Sequence, residues 1–276
     1  MKKILVPTDF SPHAENALKV AAQMARRFNG EIFLLHMLEL PLRFNDPISG
    51  NNSNQLPEAL FFMKLAKKRF KELMSHDYLK GVKVHETVEF HQAFEGIMEI
   101  SQKHNCDIII MGSHGATGLK EIFIGSNAEK VVRNSNIPVM IIKNERPNFE
   151  VKNLVFATDC NLENKHTLSK VKKFVQKIDA ALHLVYVNTA NNFVIEDKAQ
   201  KDLEEFVKGE DLINYTLNIY NDVSIEKGIL NFALSINAEL VGISTHGRKG
   251  LDHFFNGSIS ENLVNHANIP IITFKI

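Results

Sequence analysis

The sequence predicts an α/β fold built as two tandem doubly wound domains. Three observations carry that expectation. Short β-branched or apolar runs alternate with stretches that repeat at helical spacing, the pattern of a mainly parallel sheet flanked by helices. Five such runs fall within roughly the first 145 of 276 residues, the size of one ordinary domain. The chain then starts again. Lys152-Asn153-Leu154-Val155-Phe156-Ala157-Thr158-Asp159 repeats Lys2-Lys3-Ile4-Leu5-Val6-Pro7-Thr8-Asp9 at an offset of 150. Gly115 and Gly247, Gly125 and Gly257, and Pro138 and Pro270 match at an offset of 132. An internal copy of this length is a duplicated domain.

The first copy reads element by element. Lys2–Thr8 is a short strand stopped by Pro7 and Asp9. Ser11-Pro12 supplies an N-cap followed by proline at the first helical position. Ala14, Ala17, Leu18, Ala21, Ala25 and Phe28 then recur at helical spacing until Asn29-Gly30 ends the element. Glu31–Leu38 is a second, buried strand. Pro41 to Pro57 is an aperiodic Pro/Gly/Asn/Ser loop, and a helix follows with Ala59, Phe62, Met63, Ala66, Phe70 and Leu73 on one face. Val82–Phe90 alternates as a strand, and Phe94–His104 reads as a helix. Ile108–Met111 is a fourth strand, Ser126 opens a helix, and Pro138–Ile142 is a fifth strand. Lys143–Glu150 is a polar linker, which places the domains at 1–146 and 147–276. The offset falls from 150 to 132, so the first half carries 18 more residues. They lie between the second strand and the third helix, most simply in the Pro41–Pro57 loop, which is either a surface loop or a lid.

Composition narrows the function classes. Hydrophobic residues make up 44% and charged residues 23%, which describes a folded globular chain. Lys plus Arg equals Asp plus Glu at 32 each. Nucleic acid or an anionic membrane as an obligatory partner would call for a basic surplus or block. The densest basic run, Lys64–Lys71, sits on a predicted helix and reads as a solvated face. No segment approaches the ~18 apolar residues of a membrane span, and the start of the chain does not sustain a signal-peptide run. Cys106 and Cys160 belong to no metal or redox motif, the usage of a reducing compartment. The expected location is therefore cytoplasmic. His13, His36 and His166 form no spaced ligand set, so no structural metal site is expected.

The stretch from Met111 to Asn127 carries the chemistry. A buried strand runs into a loop with glycines at 112, 115 and 125, and then into a helix opened by Ser126. Such a junction presents backbone N–H groups and positive dipole to an anion. In a doubly wound sheet the ligand crevice lies beyond the carboxyl ends of the strands. Three segments converge there: Pro7-Thr8-Asp9, the end of the second strand at Met37, and the glycine motif. Asp9 suits ribose hydroxyls, Met37 a base, and Ser126 with the amides of 125–127 suits phosphate oxygens. Glycines after strands also serve plain turns, and serine before a helix is often only a cap. The convergence and repetition favour a ligand. Neither G-x-x-x-x-G-K-[ST] nor G-x-G-x-x-G follows the first strand, so P-loop and dinucleotide folds are excluded.

Gly112-x-x-Gly115, nine residues, then Gly125-Ser126 resembles the ATP-binding signature of the universal stress protein family. The KILVPTDFS start and the IPVMII ending resemble that family too, and with the second copy the resemblance covers essentially the whole chain. It implies two five-stranded parallel sheets of order 3-2-1-4-5. It also implies bound ATP, or AMP or ADP, with no established catalytic task. The first site would comprise Pro7, Thr8, Asp9, Met37, Gly112, His114, Gly115, Gly125, Ser126 and Asn127. Mg²⁺ held with the phosphates is compatible with this reading. The resemblance points to the fifth strands, Pro138–Lys143 and Pro270–Lys275, as the pairing edges of an intrachain pseudo-dimer. Both runs are apolar and would otherwise be open edges. Further association into a homodimer is left open.

The second half departs from the pattern. Its site would comprise Thr158, Asp159, Val187, Ser244, His246, Gly247, Gly257 and Ser258. Ser244 replaces the first glycine and Ala157 replaces Pro7; a side chain where close backbone approach is wanted argues for weaker or absent binding, unless the serine hydroxyl itself bonds the ligand. His114 and His246 occupy equivalent positions, facing either phosphate or solvent. The expected function is a nucleotide-binding regulatory protein of the stress response. A slow ATPase or nucleotidyl or phosphoryl transferase would need an acid/base pair and an Arg clamp, which the motif does not display. A nucleotide-independent binding scaffold is the third class.

Overall fold

A computed structural model describes residues 1–38, 55–113, 125–245, 263 and 267–276. β1 (Lys3–Pro7) leads into α1 (Pro12–Phe28), β2 (Glu31–Met37), α2 (Gln55–Met74) and β3 (Lys83–Glu89). The first half continues with α3 (Ala93–Lys103), β4 (Ile108–Gly112), α4 (Ser126–Asn134) and β5 (Val139–Ile142). The second half comprises β6 (Asn153–Ala157), α5 (His166–Ile178), β7 (Ala181–Asn188), α6 (Glu196–Val207) and β8 (Tyr215–Asn221). It ends with α7 (Ile225–Ser235), β9 (Leu240–Thr245) and β10 (Ile271–Lys275).

The ten described strands form one sheet, in the order β3-β2-β1-β4-β5-β10-β9-β6-β7-β8. Each half thus has the 3-2-1-4-5 order that the resemblance implies, and every pairing within a half is parallel. The halves join where β5 and β10 pair antiparallel, with Ile141 opposite Ile271, Met140 opposite Ile272 and Val139 opposite Thr273. The two apolar fifth strands cover each other's edges, as expected.

Local chemistry explains the elements. Ser11 caps α1 by accepting from the Ala14 amide, Pro12 takes the first helical position, and Asn29 ends the helix in the left-handed region at φ 48°. The buried face of α1 is rich in alanine (Ala14, Ala17, Ala21, Ala22, Ala25), which lets it lie close on the strands. Side chains alternate across the strands, so Ile4 and Val6 enter one core layer and Leu5 the other. Both layers run unbroken through the two halves. One holds Leu18, Phe70, Leu168 and Phe274, and the other holds Ile97, Val131, Ile229 and Ile271. A repeated device ties the sheet at its amino end. Asp107 accepts from the amides of Lys2 and Lys3, and Glu239 accepts from those of Lys152 and Asn153.

Two expectations are corrected. Pro57 is not in a loop but in the first turn of α2, where a missing N–H costs nothing. The extra residues of the first half are not all in the connection. Residues 38–54 separate β2 from α2 and residues 189–195 separate β7 from α6. In addition α2 has 20 residues and α6 has 12, so connection and helix share the difference.

Two measurements test this account. Ile272 is fully buried at the joining pair, so Ile272→Ala should cost about 2–5 kcal/mol, read as a lower urea midpoint at unchanged slope. At the β2–β3 edge, Lys83 and His85 hydrogen-bond the Glu31 carboxylate at 2.7 and 2.9 Å and lower its pKa to about 2. That stabilisation is complete above the ordinary carboxylate range and is lost as pH falls through about 2. The stability gap between wild type and Glu31→Gln should therefore narrow as pH falls through that window.

Candidate functional site

The crevice is built where β1 and β4, neighbours that lead to opposite faces of the sheet, come to their carboxyl ends. Beyond β1, the Thr8 amide donates to the Leu35 carbonyl at 2.8 Å and extends the pairing by one residue. The chain then folds on its own side chains. The Phe10 amide donates to Thr8 Oγ1 and the Ser11 amide to Asp9 Oδ1, each at 3.0 Å. Phe10 is forced to φ 64°, and its ring packs on His36 and Phe70 at 4.5 and 5.2 Å between centroids. His36 Nδ1 in turn donates to the Thr8 carbonyl at 2.8 Å. The second half repeats the turn. The Cys160 amide bonds Thr158 Oγ1 and the Asn161 amide bonds Asp159 Oδ1, both at 3.0 Å, with Cys160 at φ 60°. Thr8 and Asp9 therefore have an architectural task that accounts for part of their repetition.

The far wall comes from β4 and α4. Ser113, fully buried, follows Gly112 and accepts at its carbonyl from the Gly125 amide at 2.7 Å. Gly125 is the N-cap of α4 and has no side chain with which to cap, so Ser126 is the first helical residue and not the cap. The amides of the first turn are donors that the helix itself cannot satisfy. They open onto a cavity of about 390 Å³, within the range of small-molecule sites.

Eight predicted residues line that cavity together: Pro7, Thr8, Asp9, Met37, Gly112, Gly125, Ser126 and Asn127. His114 and Gly115 lie outside the described residues. Sequence reasoning missed Leu35, Ile97 and Met111, which make its apolar wall, and the lining residues Ala14, Ala93, Ser113 and Ala128. A signal for the α3 side was present in the repeat. Gly96 and Gly228 match at the same offset of 132 as the motif glycines. A Cβ on Gly96 would fall 2.2 Å from Met37 Cε, and one on Gly228 would fall 2.4 Å from Val187 Cγ1. In each half the side chain at the end of the second strand lies down on a helix glycine.

Gly112 lines the cavity, and its missing Cβ makes room for the start of α1. A Cβ there would sit 2.7 Å from the His13 carbonyl carbon and 3.0 Å from the Ala14 nitrogen, in the first turn of α1. In the second half the matching stretch is a 3₁₀ turn at Leu162–Asn164, and α5 begins only at His166. Ser244, buried at the Gly112 position, accompanies that altered turn. Thr158 and Val187 are also buried, Asp159 is partly exposed, and His246, Gly247, Gly257 and Ser258 lie outside the described residues.

Burial pushes the thiols of Cys106 and Cys160 up to about 11 and 12, so both are protonated at neutral pH and poor nucleophiles. Among the described residues no three His, Cys, Asp or Glu side chains gather as a metal site, and no helix is long and apolar enough to cross a membrane. The Gly112 contact yields a test. Gly112→Ala should destabilise the fold by about 1–3 kcal/mol through overpacking, measured by thermal or urea unfolding without any ligand.

Comparison with known proteins agrees with the fold. The family model of the universal stress protein family matches residues 1–143 and again 150–275. Universal stress protein MJ0577 of Methanocaldococcus jannaschii is 36% identical over 155 residues, covering 51% of this chain and 94% of that protein. Universal stress protein Slr1230 of Synechocystis sp. is 22% identical over 294 residues and aligns with 100% of both chains. The crystal structure of a universal stress protein from Archaeoglobus fulgidus superposes with a TM-score of 0.76 at 22% identity. It covers 99% of this chain and 98% of its own, so the likeness extends to the joined pair of domains. Matched in both halves, the chain belongs to the universal stress protein family.

Proposed function

We propose that the protein is an adenine-nucleotide-binding regulator of the stress response, with its principal site in the crevice of the first half. The observation that carries this reading is convergence. The β1 turn, the end of β2, the start of α3 and the N-terminus of α4 meet at one cavity with an apolar side and a polar side. Leu35, Met37 and Ile97 take the base. Asp9, oriented by the bond from the Ser11 amide, accepts from the ribose hydroxyls. Gly125, Ser126 and Asn127 meet the phosphates with backbone N–H groups and the positive end of α4. Gly112 and Ser113 form the floor of the crevice, and His114 and Gly115 are assigned as further ligand contacts. The nucleotide is ATP, with AMP or ADP held by the same base and ribose contacts. Mg²⁺ enters with the phosphates, since it needs few protein ligands. The second crevice, with Val187 for Met37 and Ser244 for Gly112, binds more weakly.

Binding and not turnover is the main task. Among the described lining residues there is no Arg, Lys or His and only one carboxylate, Asp9. Phosphoryl transfer needs charge stabilisers around the transferring group. Such a protein acts through the difference between its loaded and empty states.

Mass spectrometry of ligand released from purified protein, followed by calorimetric titration with ATP, tests the reading. Ser126→Asp separates folding from binding. A carboxylate in the first helical turn adds about 0.3–1 kcal/mol of helix stability. It also stands against the phosphates, where like charges at about 4 Å cost on the order of 1–4 kcal/mol. ATP affinity should fall at least about fivefold while the melting temperature holds or rises. Unchanged affinity, or no nucleotide bound by the wild type, would sink the assignment.

A further inference from the structure

One element of the crevice is held by the other half of the chain. α4 is nine residues long, about 13 Å at the helical rise. Its first residues line the crevice, and its far end rests on the second half. A helix leaves its last four carbonyls without helical partners. Here the helix stops at Ser135, which is extended and has a Cβ, so no left-handed glycine closes it. The Ser135 amide takes the Val131 carbonyl at 2.9 Å. Two of the others are met from outside the half. Lys275 Nζ donates to the Asn134 carbonyl at 3.2 Å and to Asn136 Oδ1 at 3.0 Å. Thr245 Oγ1 points to the Val132 carbonyl at 3.4 Å, a long contact in a buried setting.

We propose that Lys275, on the last strand of the second half, is a positioning residue for the nucleotide crevice of the first. The proposal rests on the nucleotide reading given above. Lys275 is well placed for the task because its own backbone is pinned. Its carbonyl accepts from Lys170 Nζ of α5 at 2.5 Å, and the next residue, Ile276, donates its amide to the Thr245 carbonyl at 3.0 Å. A cation at a helix C-terminus also complements the dipole whose positive end faces the ligand. Ala128, Val131 and Val132 of α4 pack in the same core layer as Ile271 of β10. Among the described residues, the opposite end is tied to β4 by the bond from the Gly125 amide to the Ser113 carbonyl. Loosening the Lys275 end therefore shifts the donors that meet the phosphates. The offset of 132 makes Thr245 the counterpart of Ser113, a lining residue of the first crevice. α4 thus spans from one crevice to the corresponding station of the other, and ligand in the first bears on the second half through one rigid rod.

The test uses the full chain. ATP affinity is measured by calorimetry for wild type, Lys275→Met and Lys275→Arg, with the melting temperature of each nucleotide-free protein as the control for folding. Lys275→Met should weaken ATP binding about fivefold, and Lys275→Arg, which keeps the cation, should restore it to within about twofold. Thr245→Val removes only the hydroxyl and should give a smaller loss in the same direction. A lower melting temperature with unchanged affinity would make Lys275 a merely structural tie and overturn the proposal. Hydrogen exchange of the nucleotide-free proteins gives a second reading at the Gly125 and Glu129 amides, at the crevice end of α4. Faster exchange there in Lys275→Met supports positioning, and unchanged exchange overturns it. Should the wild type bind no ATP, the nucleotide reading falls, and the exchange measurement still decides whether Lys275 positions the helix.

Discussion

The antiparallel pairing of β5 with β10 is the constraint on which the rest of the molecule depends. Val139, Met140 and Ile141 lie opposite Thr273, Ile272 and Ile271, all buried. Left apart, each run would be an open apolar sheet edge, a template for unwanted association. Paired, they convert two five-stranded sheets into one of ten strands, with both core layers continuous across the join. Among the described strands, β3 and β8 remain as edges. The same pairing brings the end of β10 against the end of α4, so a helix that opens onto the first crevice is finished by a lysine from the second half.

The two copies share one frame and differ at one contact within it. The Thr-Asp turn after the first strand of each half is hydrogen-bonded alike, with a left-handed residue at the matching position, Phe10 in one and Cys160 in the other. The helix glycine under the end of the second strand is kept as Gly96 and Gly228. What changed is the first turn of the first helix. In the first half α1 begins at Pro12 and its backbone fills the space beside Gly112. In the second half that stretch is a 3₁₀ turn, and a serine stands at the glycine position. The two differences sit at one contact, so the substitution that looked like damage to a ligand loop is at least as much a matter of helix-to-strand packing.

Much of this was legible in the residues themselves. Ser11-Pro12 and Asn29-Gly30 mark the ends of α1 because caps act within a few residues. The offsets of 150 and 132 expose the duplication, and the apolar fifth strands announce that something must cover them. Asp9, Met37 and Gly125–Asn127 could be brought to one crevice because a doubly wound sheet places its strand ends together. The role of Gly112 was not legible. A glycine after a strand reads alike whether a ligand or a helix backbone fills the missing Cβ.

Sequence alone determined the elements, the repeat and the strand ends that bear the polar groups, since these follow from periodicity and local chemistry. Tertiary structure alone decided which atoms meet across long separations. It set Met37 down on Gly96, the α1 backbone beside Gly112, and Lys275 on the carbonyl of Asn134, 141 residues away. Such contacts depend on sub-ångström packing between elements, and no pattern within a single element encodes them.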